Sequence, residues 1–161
     1  MQSRTAWDRE RAQDIIEAHR HLEGAALPIL HALQHEFGYV DREAVPMVAQ
    51  ALNLSRAEVH GVVSFYHDFR EAPAGRHVLK LCRAEACQSM GADALAECAR
   101  DRLRVDWHET TADGRVTLEP VFCLGLCACA PAAMLDGRVV GALDEARLSS
   151  LIDSTSRGAR E

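Results

Sequence analysis

The sequence predicts an α/β chain in two parts: a small helical bundle, then a small open α/β sheet. Three observations lead there. Apolar residues recur at helical spacing up to Phe69, a polar stretch with Pro73 and Gly75 interrupts the pattern at 70–77, and beyond it strand-like alternation and helical periodicity take turns. With 161 residues, 48% of them hydrophobic, the chain can bury one core or two small ones.

The helical elements follow in order. "WDRERAQDIIEAHRHL" sets Trp7, Ile15, Ile16 and Leu22 against many charges, an amphipathic helix whose charged residues read as a solvated face. "ALPILHALQHEFGYV" places Leu27, Leu30, Leu33 and Phe37 at steps of three and four, with Pro28 tolerable in a first turn and Gly38 a natural stop. "DREAVPMVAQALNL" offers Asp41 as a cap, although Pro46 lets the regular helix begin later. "SRAEVHGVVSFYHDF" opens with Ser55 and Glu58 in capping-box register and continues with Val59, Val62, Val63 and Tyr66 as an apolar face. Phe65, Tyr66 and Phe69 read as packing residues rather than a cofactor platform.

After the boundary, "HVLKLC" and "GRVTLEPVFC" alternate as strands, and "GADALAECARDRL" is a helix with Ala94, Leu95, Cys98 and Leu103 on related faces. "AAMLDGRVVGAL" is a hairpin turning at Asp136-Gly137, and "DEARLSSLIDS" is a closing helix capped by Asp144. These elements divide the chain into a helical domain over 1–72, an α/β domain over 76–153 and a flexible tail over 154–161.

Composition narrows the function classes. No stretch reaches the roughly 18 apolar residues of a spanning helix, and the charged N-terminus lacks the apolar core of a signal peptide, so a cytoplasmic, membrane-free protein is expected. A net charge of -6 speaks against nucleic-acid or anionic-membrane partners, which reward a basic face. In a reducing compartment, clustered cysteines read as metal ligands or redox groups rather than a disulfide frame.

Four thiols form the constellation of interest. Cys82 and Cys87 stand at the end of the first predicted strand, Cys123 and Cys127 at the end of the second, so both pairs emerge at the carboxyl edge of one sheet. Gly125, between the second pair, lets backbone amides turn toward sulfur. Four cysteines could hold zinc, but the gap in "CRAEAC" sits at the limit of structural zinc knuckles, whereas a four-residue spacing is known from plant-type [2Fe-2S] proteins. The spacing favours iron-sulfur over zinc and leaves both open. An all-cysteine [2Fe-2S] site would take one electron at a time at low potential, and the apolar flanks Val121, Phe122, Leu124, Leu126 and Ala128 suit electron relay better than substrate chemistry. Cys98 reads as core packing and Cys129 as a packing neighbour of Cys127. His31, His35, His60 and His67 read as polar helix-face residues rather than ligands, and the chain has no Cys-x-x-Cys redox motif.

"CRAEACQSMGA" followed by "EPVFCLGLCACAP" resembles the thioredoxin-like [2Fe-2S] ferredoxin family, which includes the small iron-sulfur subunits of respiratory complex I and of NAD-linked hydrogenases. "LPILHALQHEFGYV" and "ALNLSRAEVHGVVSFYHDF" resemble that family's N-terminal bundle. More narrowly, "ALNLSRAEVHGV", "PAGRHV", "CRAEACQS" and "HETTADGRVTLEPV" resemble the gamma subunits of cytosolic, molybdenum-dependent, NAD-linked formate dehydrogenases. The resemblance implies a thioredoxin-like second domain and one [2Fe-2S] cluster on Cys82, Cys87, Cys123 and Cys127. It also implies a non-catalytic electron-transfer role. The expected partners are a flavin-bearing, NAD-binding diaphorase subunit, with FMN, and a molybdenum-cofactor subunit carrying further iron-sulfur clusters. Rival readings are the equivalent complex I or hydrogenase subunit, a zinc-stabilised interaction module, and a thiol oxidoreductase using Cys127 and Cys129.

Overall fold

Local capping chemistry places the helices of the first unit. In the computed structural model, which describes residues 6–157, the chain divides after Pro73 into two units. Asp8 caps α1 (Arg9–His19) by accepting from the Arg11 N–H at 2.9 Å. Helix α2 (Ala26–Phe37) carries Pro28 in its first turn and stops at Gly38, whose φ of 84° only glycine adopts without strain. Helix α3 (Ala44–Leu52) starts later than Asp41, which instead holds the Glu43 N–H at 2.8 Å in a turn before the helix. Helix α4 (Arg56–Phe65) has the full Ser55/Glu58 capping box. The buried faces meet in one core of Ile16, Ile29, Leu30, Leu33, Phe37, Val40, Val48 and Val59, with Trp7 tilted onto Phe37 at 4.9 Å between ring centroids.

Of the expected packing aromatics, only Phe69 is buried. Phe65 is 72% exposed and Tyr66 43% exposed. The reason is local: Phe65 stands two positions past buried Val63, on the opposite side of α4, and Tyr66 turns to extended backbone at φ -89° and ψ 101°, off the helix altogether.

The second unit is built on a four-stranded sheet in the order β2-β1-β3-β4. Strand β1 (His77–Cys82) lies between β2 (Val116–Val121), with which it runs parallel from His77↔Val116 to Cys82↔Val121, and β3 (Ala133–Leu135), with which it is antiparallel. Strand β4 (Arg138–Val140) completes the hairpin. Its turn uses Asp136 and Gly137 at φ 50° and 85°, the pair of positive angles a two-residue hairpin needs. Asp136 also accepts from the Val78 N–H and pairs with His77 Nδ1, at 2.8 and 2.7 Å, so the turn is fastened to the start of β1. The outer edge of β2 is covered by residues 108–111, which exchange backbone hydrogen bonds with Val116 and Leu118.

Between β1 and β2 the chain forms a one-turn helix α5 (Glu85–Ser89), not anticipated from sequence, and then α6 (Ala92–Leu103). The buried face of α6 is Ala92, Ala96, Ala99 and Leu103; Ala94 is exposed, and Leu95 and Cys98 are half-buried at its margin. The expected face is therefore rotated, because small residues let the helix approach the sheet closely. Helix α7 (Glu145–Arg157) starts where expected, with Asp144 accepting from the Arg147 N–H at 2.7 Å. It runs through 154–157, which the sequence places in a flexible tail; residues 158–161 of that tail lie outside the described residues. Thr155 is buried, and Arg115 Nη1 bonds its hydroxyl at 3.2 Å and that of Ser156, so the last turn is held to the body of the unit. Leu79, Leu118, Ala133, Leu148 and Ile152 form the core beneath. Among the described residues, no helix is long and apolar enough to cross a membrane.

Candidate iron-sulfur site

Parallel pairing of β1 and β2 delivers the thiols. Cys82 is the last residue of β1, and β2 ends at Val121, two residues before Cys123, so both chains arrive at the carboxyl edge of the sheet side by side. Helix α5 carries Cys87 back toward Cys82. The chain after Leu126 forms a short 3-10 turn, Cys127–Cys129, that brings Cys127 toward Cys123. The two Sγ atoms of Cys123 and Cys127 are 3.7 Å apart.

The four sulfurs differ in burial. Cys82 and Cys87 are each 2% exposed and pack with Ala92 and Ala132, whereas Cys123 and Cys127 are open to solvent. Phe122, beside them, is 72% exposed. Cys123 has a φ of 92°, a strained angle for any residue but glycine, and Gly125 at φ 75° sends its N–H to Cys123 Sγ at 3.3 Å. This backbone turns several amides onto sulfur.

The electrostatics record that convergence. Burial pushes the Cys82 thiol up, but hydrogen bonds from the Ala84 N–H, the Cys87 thiol and the N–H groups of Cys123 and Leu124 together hold it below the ordinary thiol range. Burial, the bond to Cys82 and the charges of Cys82 and Cys127 push the Cys87 thiol up, against the Ala132 N–H. The Cys127 thiol is raised first by its bond to Cys123, then by the charge of Cys123, by burial and by the charge of Cys82. Cys82, Cys87 and Cys127 each respond to another cysteine of the set. Among the described residues, no three His, Cys, Asp or Glu side chains close around a single metal ion; the thiols gather as pairs.

Cys98 lies apart, packed at the margin of the sheet core. Cys129 is exposed, and its carbonyl accepts the Ala142 N–H at 2.5 Å. The sequence reading missed the backbone donors at Ala84 and Ala132, which no residue type signals, and the role of Arg83. The backbone N–H of Arg83 reaches Val121 O at 2.8 Å, tying the ends of the two thiol-bearing strands together.

Fold and site together define a small α/β protein built around four convergent thiols at one sheet edge. The chain belongs to the thioredoxin-like [2Fe-2S] ferredoxin family, whose model matches residues 12–156. It is 33% identical over 137 residues to the NADP-reducing hydrogenase subunit HndA of Solidesulfovibrio fructosivorans, covering 85% of this chain and 80% of that one. To the NADH-quinone oxidoreductase subunit 2 of Thermus thermophilus it is 31% identical over 137 residues, covering 84% of this chain and 76% of that one. Among solved structures, an NAD+-reducing [NiFe]-hydrogenase in the air-oxidised state matches with a TM-score of 0.67 at 28% identity. The match covers 81% of this chain and 23% of the hydrogenase chain.

Proposed function

We propose that this chain is an electron-transfer subunit that holds one [2Fe-2S] cluster on Cys82, Cys87, Cys123 and Cys127 and passes single electrons to and from a flavin-bearing, NAD-binding partner. The observation that carries the reading is the convergence of four thiols with backbone N–H groups aimed at the buried sulfur of Cys82. That donor set fits an anionic iron-sulfur core. Bound there, the group would supply reversible one-electron storage. The chain's own residues do the rest. Cys82 and Cys87 hold the inner side away from water, and the amides of Ala84, Cys123, Leu124 and Ala132 offset negative charge on sulfur. Cys123 and Cys127, beside exposed Phe122, form the side a partner's redox group can approach.

Within that class we favour the gamma subunit of a cytoplasmic, NAD-dependent formate dehydrogenase, with a diaphorase subunit as direct neighbour and a molybdenum-containing subunit as the site of formate oxidation. Support comes from "CRAEACQS" and "HETTADGRVTLEPV", which resemble that subfamily. The hydrogenase and NADH-quinone oxidoreductase relatives favour the corresponding component of those complexes as the second reading.

Anaerobic purification of the chain tests the first level. Two irons, two sulfides and one dithionite-reducible spin per chain are expected; one zinc without sulfide would leave a structural module instead. Purification from the native source with its partners tests the second. Molybdenum and formate-dependent NAD reduction are expected, while nickel with hydrogen-dependent reduction would assign the hydrogenase.

A further inference from the structure

Arg83 and Gln88, which directly follow Cys82 and Cys87 respectively, make an unusual set of ties. The Arg83 N–H donates to Val121 O at 2.8 Å, two residues before Cys123. The Arg83 carbonyl accepts from Gln88 Nε2 at 2.9 Å, and Gln88 directly follows Cys87. The guanidinium bonds Asp93, in the first turn of α6, at 3.0 Å and lies over Trp107, with Cζ 5.4 Å from the ring centroid. Through its backbone Arg83 thus touches three thiol-bearing segments, its neighbour Cys82, Cys87 through Gln88, and Cys123 through Val121, while its side chain anchors that backbone to α6 and Trp107. The Arg83 Nε is buried without a hydrogen-bond partner.

We propose that Arg83 and Gln88 are positioning residues that fix the Cys87 sulfur relative to Cys82, and so set how tightly the site holds its iron. The inference rests on the ligand set proposed above. Helix α5 is a single turn, too short to hold its own shape, so its geometry must come from outside. The Gln88 side chain bridges across that turn to the end of β1. Removing it leaves the strands paired and frees Cys87 to move.

The experiment uses Gln88→Met, which removes the donor at an exposed position without changing charge, and Arg83→Met. In the iron-free full chain, iodoacetamide labelling read by mass spectrometry reports each cysteine. Cys87 labelling should accelerate about two- to tenfold, the factor one lost hydrogen bond allows, while labelling of exposed Cys123 and Cys127 stays unchanged. In the iron-loaded chain, release of iron to a chelator should accelerate by a similar factor, with an altered EPR line shape in the reduced state. Arg83→Met removes the Asp93 ion pair and the Trp107 stack and leaves the backbone ties in place; Arg83→Lys, which keeps the charge but loses the planar stack, should fall between wild type and Arg83→Met. Unchanged Cys87 labelling in Gln88→Met would overturn the proposal, as would equal acceleration at all four cysteines. A wild-type chain that takes up no iron would overturn the functional reading instead, and the labelling result would still decide the role of Gln88.

Discussion

Gly141 lies where β4 leaves the sheet and passes the short turn bearing Cys127 and Cys129. A Cβ added there would stand 2.8 Å from Cys129 Cβ and 3.0 Å from Cys129 O. Carbon atoms settle at about 3.5–4.0 Å, so Gly141→Ala demands a displacement of roughly 0.7 Å or more. Neither opposing atom is a flexible side-chain tip: one is backbone, and the other is fixed to it. The same backbone carries the Ala142 N–H to Cys129 O bond, so the two chains cannot separate without losing it. Overpacking of this kind costs about 1–3 kcal/mol. Hydrogen exchange of the β1, β2 and β3 amides in the full chain reads this cost separately from the helical unit. Exchange should speed up by about 5- to 150-fold in the sheet unit and stay unchanged in α1–α4. Strand amides within a factor of two of wild type would show that the turn yields freely and that the close approach constrains nothing.

Gly61, inside α4, offers the opposite case: nothing lies within 4 Å of an added Cβ. Gly61→Ala should stabilise the helical unit by about 0.5–1 kcal/mol in the same exchange measurement, and destabilisation would mean that α4 is not helical at that point. Glu58 is held below the ordinary carboxylate range by hydrogen bonds from the Ser55 N–H and then its hydroxyl, so its contribution to stability is complete above about pH 4.3 and is lost as pH falls below that. Protection of the α4 amides, taken relative to their intrinsic exchange rates, should therefore fall as pH is lowered from about 4.3 toward 3. Glu58→Gln should flatten that dependence, and an unchanged profile would remove the capping box from the account. Cys87→Ser and Cys123→Ser should each abolish or strongly shift the visible and EPR spectra of the iron-loaded chain, whereas Cys98→Ser should leave them intact. The reverse pattern would overturn the ligand set.

Features settled by chemistry within a few residues could be read from sequence. The Ser55/Glu58 box, the Gly38 stop, the Asp136-Gly137 turn and the Asp144 cap each need only their own neighbours, and each is present. Features set by distant packing could not. Apart from Leu103, the buried face of α6 consists of alanines whose hydropathy is weaker than that of Leu95 beside them, so only the closeness of the sheet reveals it. The last turn of α7 looks polar because its partner, Arg115, lies forty residues earlier in the chain. At the site, cysteine spacing and the strand ends on which the thiols sit were legible, since a parallel pair brings its carboxyl ends together. The donors to the sulfurs are backbone amides, whose roles depend on φ angles and on a single turn of helix that no residue type announces.

The central place of β1 has a consequence for biosynthesis. Cys82 and Cys87 leave the ribosome about forty residues before Cys123, a delay of roughly 2–8 s at ordinary elongation rates. Even then, β1 lacks its second neighbour until β3 has followed, and Ala132, just before β3, is the residue whose carbonyl receives the Cys82 N–H and whose own N–H reaches the Cys87 sulfur. The nascent chain therefore exposes Cys82 and Cys87 before the neighbouring strands and the amides of Cys123, Leu124 and Ala132 exist to shield them. Metal loading and protection from oxidation belong to the finished chain, and any factor that guards the nascent one must act on the segment from Cys82 to Cys87.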